Sequence, residues 1–243
     1  MDNMEVLKKV AQRYGESRMV YFCMSGSRMF LKEPGECADY DVRAVIIHDP
    51  FEYLTLSTKK KYTYEKMFDM DGKKIDLVAH DIYKSMKLLL KGNPNIWMMF
   101  NNPYYIIRPI PFHDKIIFNV RAEQDKIVSY KGLFNALRGY SNSLCKDYGK
   151  FYDKKRLINF SFISHLAVNI YEGKYDFVKY LDDFRNGTYP YDEDTLYSLQ
   201  RKLKNMVFEG DDIPLSIREA TANNIIKWGM KELLKENRKI YFK

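Results

Sequence analysis

Cysteine is scarce in this chain: three residues among 243, at positions 23, 37 and 145. An odd, irregularly spaced set builds neither a disulfide framework nor a zinc site, so reduced thiols in a reducing compartment are the simplest account. Cys37 stands two residues before an aspartate, but it is read as an incidental thiol rather than a redox centre. The four histidines, His48, His80, His113 and His165, have no metal-ligand spacing among themselves. Long apolar runs are missing too. The longest, such as Ile96 to Phe100, fall far short of the roughly 20 residues a membrane helix requires. The N-terminal MDNMEVLKKVAQRYG is polar and amphipathic, with no signal-peptide core. Together these absences predict a soluble protein of the cytoplasm with no membrane partner. No internal repeat and no low-complexity segment is visible.

What is present is the material for a core. The chain is 46% hydrophobic and carries 20 Tyr and 15 Phe, enough for one large domain or two small ones. The formal net charge is +8, and it is unevenly spread. Residues 1–114 hold 17 basic and 15 acidic side chains, whereas residues 115–160 hold 10 and 4. Residues 161–200 are acidic, and residues 201–243 are basic again. A basic surface suits a polyanion such as nucleic acid or a nucleoside triphosphate. A plainly solvated face would carry the same charge.

Local patterns divide the chain. Met4, Leu7, Val10 and Ala11 fall at helical spacing, which predicts a helix over 3–15 stopped at Gly15. Residues 19–24, MVYFCM, form a short strand-type run broken by Ser25-Gly26-Ser27. Residues 41–47 read as a strand entering a core, ended by Asp49-Pro50. Asp71-Gly72 joins 61–68 to 73–79 as a hairpin. Asp81 has the position of an N-cap for 82–91, Gly92 stops that helix, and Asn93-Pro94 starts another turn. Trp97, Met98, Met99 and Phe100 are read as core, and His165 as a core histidine on an apolar helix. After residue 115 the pattern turns helical, over about 115–148, 154–172, 174–184, 194–207 and 215–237. The expected organisation is therefore α+β: a domain over 1–114 and a helical domain over 115–243.

One stretch carries chemistry: SGSRMFLKEPGECADYDVR, residues 25–43. Successive strand side chains alternate faces, so Asp39 and Asp41 point the same way. Adjacent carboxylates repel unless a cation neutralises them, and hard divalent cations prefer oxygen ligands. Asp76, a lone charge in the apolar run Ile75-Asp76-Leu77-Val78, is the candidate third carboxylate of a two-metal clamp. The Gly26-Ser27 turn offers backbone N–H groups and a hydroxyl to phosphate oxygens. Arg43 shares the face of Asp41 and is placed either to reach a phosphate or to pair with the carboxylates.

The ordered set resembles the DNA polymerase beta-like nucleotidyltransferase superfamily. Its signature is Gly-Ser after the first strand, Asp-x-Asp on the next, and a third Asp later. The sequence is more similar to one branch, the predicted nucleotidyltransferases associated with RNA repair. The similarity lies in Gly26-Ser27-Arg28, the DYDVR of Asp39 to Arg43, Asp76-Leu77 and the KGNPN of Lys91 to Asn95. It runs on weakly through Tyr130-Lys131-Gly132 and Lys154-Lys155. The branch usually has Gly where this chain has Leu31, and Ser or Thr where it has Ala38. The resemblance implies a palm-like mixed sheet with flanking helices, followed by a C-terminal helical bundle. It implies two Mg²⁺ (or Mn²⁺) ions held by Asp39, Asp41 and Asp76. It also implies an NTP, such as ATP, held by Gly26 and Ser27, with Arg28 and Arg43 as further candidates and Lys131, Lys154 and Lys155 as lysines that reach the triphosphate from the helical half. The implied reaction moves NMP from the NTP to a hydroxyl and releases pyrophosphate. RNA, as tRNA or an RNA 3′ end, is the expected acceptor. Alternatives are a protein or small-molecule acceptor, or a non-catalytic protein that binds nucleotide or RNA.

Overall fold

The computed structural model describes residues 2–14, 18–32, 39–48, 53, 63–108, 113–151, 153–210 and 212–241. Gly15, Cys37, Ala38 and Asp49-Pro50 lie outside the described residues, and with them the expectations placed on them.

Helix α1 (Asn3–Arg13) starts at Asp2, whose carboxylate accepts from the Glu5 N–H at 2.7 Å. Its buried stripe is Val6, Leu7 and Val10. Met4, expected on that face, is 38% exposed, so the stripe is rotated towards Val6. Strand β1 (Met19–Ser25) follows, then the one-turn helix α2 (Ser27–Phe30) and strand β2 (Tyr40–Ile46). Strands β3 (Thr63–Met70) and β4 (Lys73–Asp81) are antiparallel. Asp71 and Gly72 between them have φ of 54° and 70°, the paired positive values of a type I′ hairpin turn. Helix α3 (Ile82–Leu90) is capped by Asp81, which accepts from Tyr83 N–H at 2.8 Å. Helix α4 (Pro94–Asn101) is capped by Asn93, with proline at its first position. The three-residue strand β5 (Tyr105–Ile107), too short to show a pattern in the sequence, completes the sheet.

The sheet is mixed, in the order β3-β4-β2-β1-β5. Among the described residues only β2 and β4 pair in parallel; the other strand pairs are antiparallel. Alternation separates its faces. Phe22, Met24, Val42, Ala44, Leu77 and Ala79 pack beneath α1 in one core. The opposite face carries Tyr21, Cys23 and Val45 into a second, larger core built with the helices.

The run 115–148 is three helices rather than one: α5 (His113–Ala122), α6 (Gln124–Ile127) and α7 (Tyr130–Phe151). Val128 is extended (ψ 135°), and Ser129 caps the next turn by accepting from the Gly132 N–H at 2.9 Å. Capping by a short hydroxyl competes with helix continuation, which is why periodicity alone runs through the break. Helices α8 (Lys154–Tyr171), α9 (Phe177–Arg185), α10 (Glu193–Asn205) and α11 (Leu215–Tyr241) follow near their expected places.

The larger core crosses residue 114 without interruption, running from Val20 to Met230. Phe30 of α2 stacks on Phe162 of α8 with centroids 4.5 Å apart, and Trp97 of α4 meets Phe177 of α9 edge-on. Two of the motif fragments also meet. A Cβ on Gly132 would lie 2.5 Å from the Lys91 carbonyl oxygen, and one on Gly92 would lie 2.7 Å from the Gly132 carbonyl carbon. Lys91-Gly92 and Ser129 to Leu133 are therefore in backbone-to-backbone contact, which fixes α7 relative to α3 and α4. Among the described residues no helix is long and apolar enough to cross a membrane.

Candidate active site

The sheet face opposite α1 turns polar at the end where β1 stops. There the register puts Ser25 of β1 beside Asp41 of β2, and Asp41 beside Asp76 of β4. Neighbouring strands lie about 4.8 Å apart, so the two carboxylates are side by side. Between them stands Arg43, two residues along β2 on the same face. Its guanidinium is 3.7 Å from the Asp41 carboxylate and 3.4 Å from that of Asp76, and it also donates to the Asp76 carbonyl at 3.2 Å. All three side chains are about one-third exposed. Burial raises the Asp41 carboxyl above the usual carboxylate range. Arg43 and Lys155 pull it down, while Asp76 and Asp39 push it up.

Gly26 closes the turn against this pair. Its backbone has φ 61° and ψ −156°, and an added Cβ would lie 2.9 Å from Asp41 Cγ and closer still to its Oδ2. Only glycine fits between β1 and the aspartate. Leu31, where the resembling branch has glycine, has φ −104° and ψ 139°, a conformation open to any residue.

These groups line a cavity of about 360 Å³ between the sheet end and the helices. Ser25, Gly26, Ser27, Asp39, Asp41 and Arg43 form one wall. Lys155 and Asn159 of α8 and Tyr140 of α7 form the facing wall, and Met29, Phe30, Met98, Phe162 and Ile163 give an apolar end. Burial, aided by the charge of Asp41, pushes the Tyr140 phenol above its ordinary range.

Of the residues singled out from the sequence, Gly26, Ser27, Asp39, Asp41, Arg43 and Lys155 meet at the cavity. Asp76 joins them through Arg43. Arg28 does not line the cavity: it is buried, its guanidinium lies 3.7 Å from the Tyr40 ring centre, and its Nε donates to the Asp39 carbonyl at 3.3 Å. It holds Asp39 from behind. Lys131 does not reach the cavity either. It sits at the start of α7, nine residues and about 13 Å of helix rise before Tyr140. Asn95, Tyr140 and Asn159 were not found from the sequence. For Asn159 a signal existed, since Lys155, Asn159 and Ile163 recur at helical spacing on one stripe of α8.

The donor set can be tested against a metal on its chemistry. Among the described residues, no group of three or more His, Cys, Asp or Glu side chains is placed to hold a metal ion by itself. What is present is a pair of cavity carboxylates with a third in register beside them. That set fits a hard cation which keeps waters and takes phosphate oxygens, as Mg²⁺ does, rather than one needing an all-protein shell.

A mixed five-stranded sheet, helices on both faces and an aspartate-bearing strand opposite a Gly-Ser turn define a polymerase beta-like nucleotidyltransferase fold. The model of the RNA repair pathway DNA polymerase beta family matches residues 2–161, and the chain belongs to that family. Among solved structures, a nucleotidyltransferase-like protein from Exiguobacterium sibiricum 255-15 is 9% identical. That alignment covers 96% of this chain and 74% of the other at a TM-score of 0.35. No curated protein matches the chain.

Proposed function

We propose that the chain is a metal-dependent nucleotidyltransferase that moves NMP from an NTP to a hydroxyl of RNA and releases pyrophosphate. The observation that carries this reading is the facing of Asp39, Asp41 and the Gly26-Ser27 turn by Lys155 across one cavity. Family membership supports the transferase class, and the family's description points to RNA as the acceptor.

In this reading Asp39 and Asp41 hold the divalent ions, with Asp76 as the third carboxylate. The ions, when bound, supply charge neutralisation for the triphosphate and for the attacking oxygen. Gly26 and Ser27 receive the β- and γ-phosphates on backbone N–H groups and the hydroxyl. Lys155 neutralises the same end from α8. Arg43, which pairs with both carboxylates on the same wall, would add its charge to the phosphates. Arg28 positions Asp39 through its carbonyl. The acceptor hydroxyl passes its proton to a neighbouring carboxylate as its oxygen attacks the α-phosphorus, and the bond from that phosphorus to the bridging oxygen breaks, releasing pyrophosphate. Because all partners are held in one cavity, positioning and electrostatics carry the rate.

The test is incubation with each labelled NTP, MgCl2 and tRNA or short RNAs. Label is expected on RNA with the wild type and not with Asp41→Asn. Label on protein instead would reassign the acceptor, and equal behaviour of the two proteins on every acceptor would remove the reading.

A further inference from the structure

We propose that the apolar end of the cavity is a nucleobase subsite and that Asn159 determines which nucleotide is accepted. This rests on the reading of the site as an NTP site. Lys155, Asn159 and Ile163 lie along one stripe of α8 and span about 12 Å of helix rise. Polarity falls along that stripe from a charge, to an amide, to an aliphatic chain. At one end the Lys155 charge acts on Asp41, and beside the other Phe162 stacks on Phe30 with centroids 4.5 Å apart. A nucleoside triphosphate has this polarity, with phosphates at one end and a flat heteroaromatic ring at the other. The cavity, at about 360 Å³, is of the size that encloses small ligands.

The amides argue further. Asn101 bonds Gln124, Asn102 bonds the Met24 carbonyl, Asn142 bonds Gln200 and Asn169 bonds Tyr189. Asn159, half-buried, and Asn95, exposed on α4, face the cavity without such a partner among the described residues. An amide offers a donor and an acceptor side by side, and the base edges offer the complement. A site that hydrogen-bonds its ligand rejects analogues lacking the matching groups far better than an apolar wall does.

The experiment is calorimetric titration of the intact protein with ATP, GTP, CTP and UTP in MgCl2. Inorganic tripolyphosphate serves as the probe with no base. Asn159→Leu is expected to weaken the preferred NTP tenfold or more and to compress the spread among the four, with tripolyphosphate changed less than twofold. Asn159→Ser, a smaller change, should compress the spread to a lesser degree. Lys155→Ala should weaken all five ligands alike. An unchanged spread among the four NTPs in both Asn159 variants overturns the subsite, as does a wild type that binds all four alike or an equal loss for tripolyphosphate. If the wild type binds none of the five, the NTP reading itself falls and the subsite with it.

Discussion

At Gly26 the backbone occupies a region that only glycine enters without strain of about 1–3 kcal/mol, and Asp41 fills the space a Cβ would need. Gly26→Ala is therefore expected to lower the urea midpoint and to displace the Asp41 carboxylate. Nucleotidyl transfer should fall by at least about a hundredfold, beyond what the stability loss explains. Asp41 itself is held half-buried beside Asp76, with Arg43 as their shared counter-charge. Removing one carboxylate relieves like-charge repulsion in the metal-free protein. Asp41→Asn should then keep or raise the thermal midpoint without metal while transfer is lost, and a large fall in the midpoint would contradict that account. At this scale the aspartates were legible because strand alternation is local: Asp39 and Asp41 declare a common face without knowledge of anything else. Arg28 and Lys131 were visible as basic residues, but their directions are tertiary facts. Arg28 turns onto Tyr40, and Lys131 starts a helix whose cavity-facing residue comes nine positions later.

Among the elements, the contact of Lys91-Gly92 with Ser129 to Leu133 sets where α7 and α4 stand, and hence where Tyr140, Asn95 and Met98 face. Both glycines are needed for close approach, and Gly92 also has φ +70°. Gly132→Val, which must push the Lys91 carbonyl aside, is expected to destabilise the protein by at least about 2 kcal/mol in chemical denaturation. NTP binding should weaken with it. A normal midpoint would mean that the contact is not structural. The sheet was largely readable from its strands, because hydrophobic runs and the Asp71-Gly72 turn are local signals. Strand β5 was not, since three residues show no period. The joints of α5, α6 and α7 were missed for a different reason. The one between α6 and α7 is made by Ser129 capping and by its bond with Asp212, a partner 83 residues away. The facing of α7 and α8 against the sheet end, which builds half of the cavity, is likewise long-range packing that no spacing announces.

Over the whole molecule, one core links the sheet to the helices, so unfolding should be a single cooperative event in which the site is lost with the core. Two histidines give that event a pH dependence. Burial holds His165 below the ordinary value of 6.5, and burial with the charges of Lys84 and Arg43 does the same for His80. Proton uptake is then stronger in the unfolded chain. Stability from these groups is present above pH 6.5 and lost as pH falls through it towards the folded values. Since the Pro190 carbonyl can only accept, the neutral His165 carries its hydrogen on Nε2, 3.1 Å away. His165→Gln should flatten the thermal midpoint against pH below 6.5, and an unchanged slope would exclude His165 as its source. The measurement that bears most directly on the whole account is transfer of labelled NMP to RNA in MgCl2, with wild type, Asp41→Asn and Lys155→Ala side by side. The account predicts labelled RNA and stoichiometric pyrophosphate from the wild type, none from Asp41→Asn, and a raised KM for NTP with Lys155→Ala. Equal labelling by wild type and Asp41→Asn would contradict it.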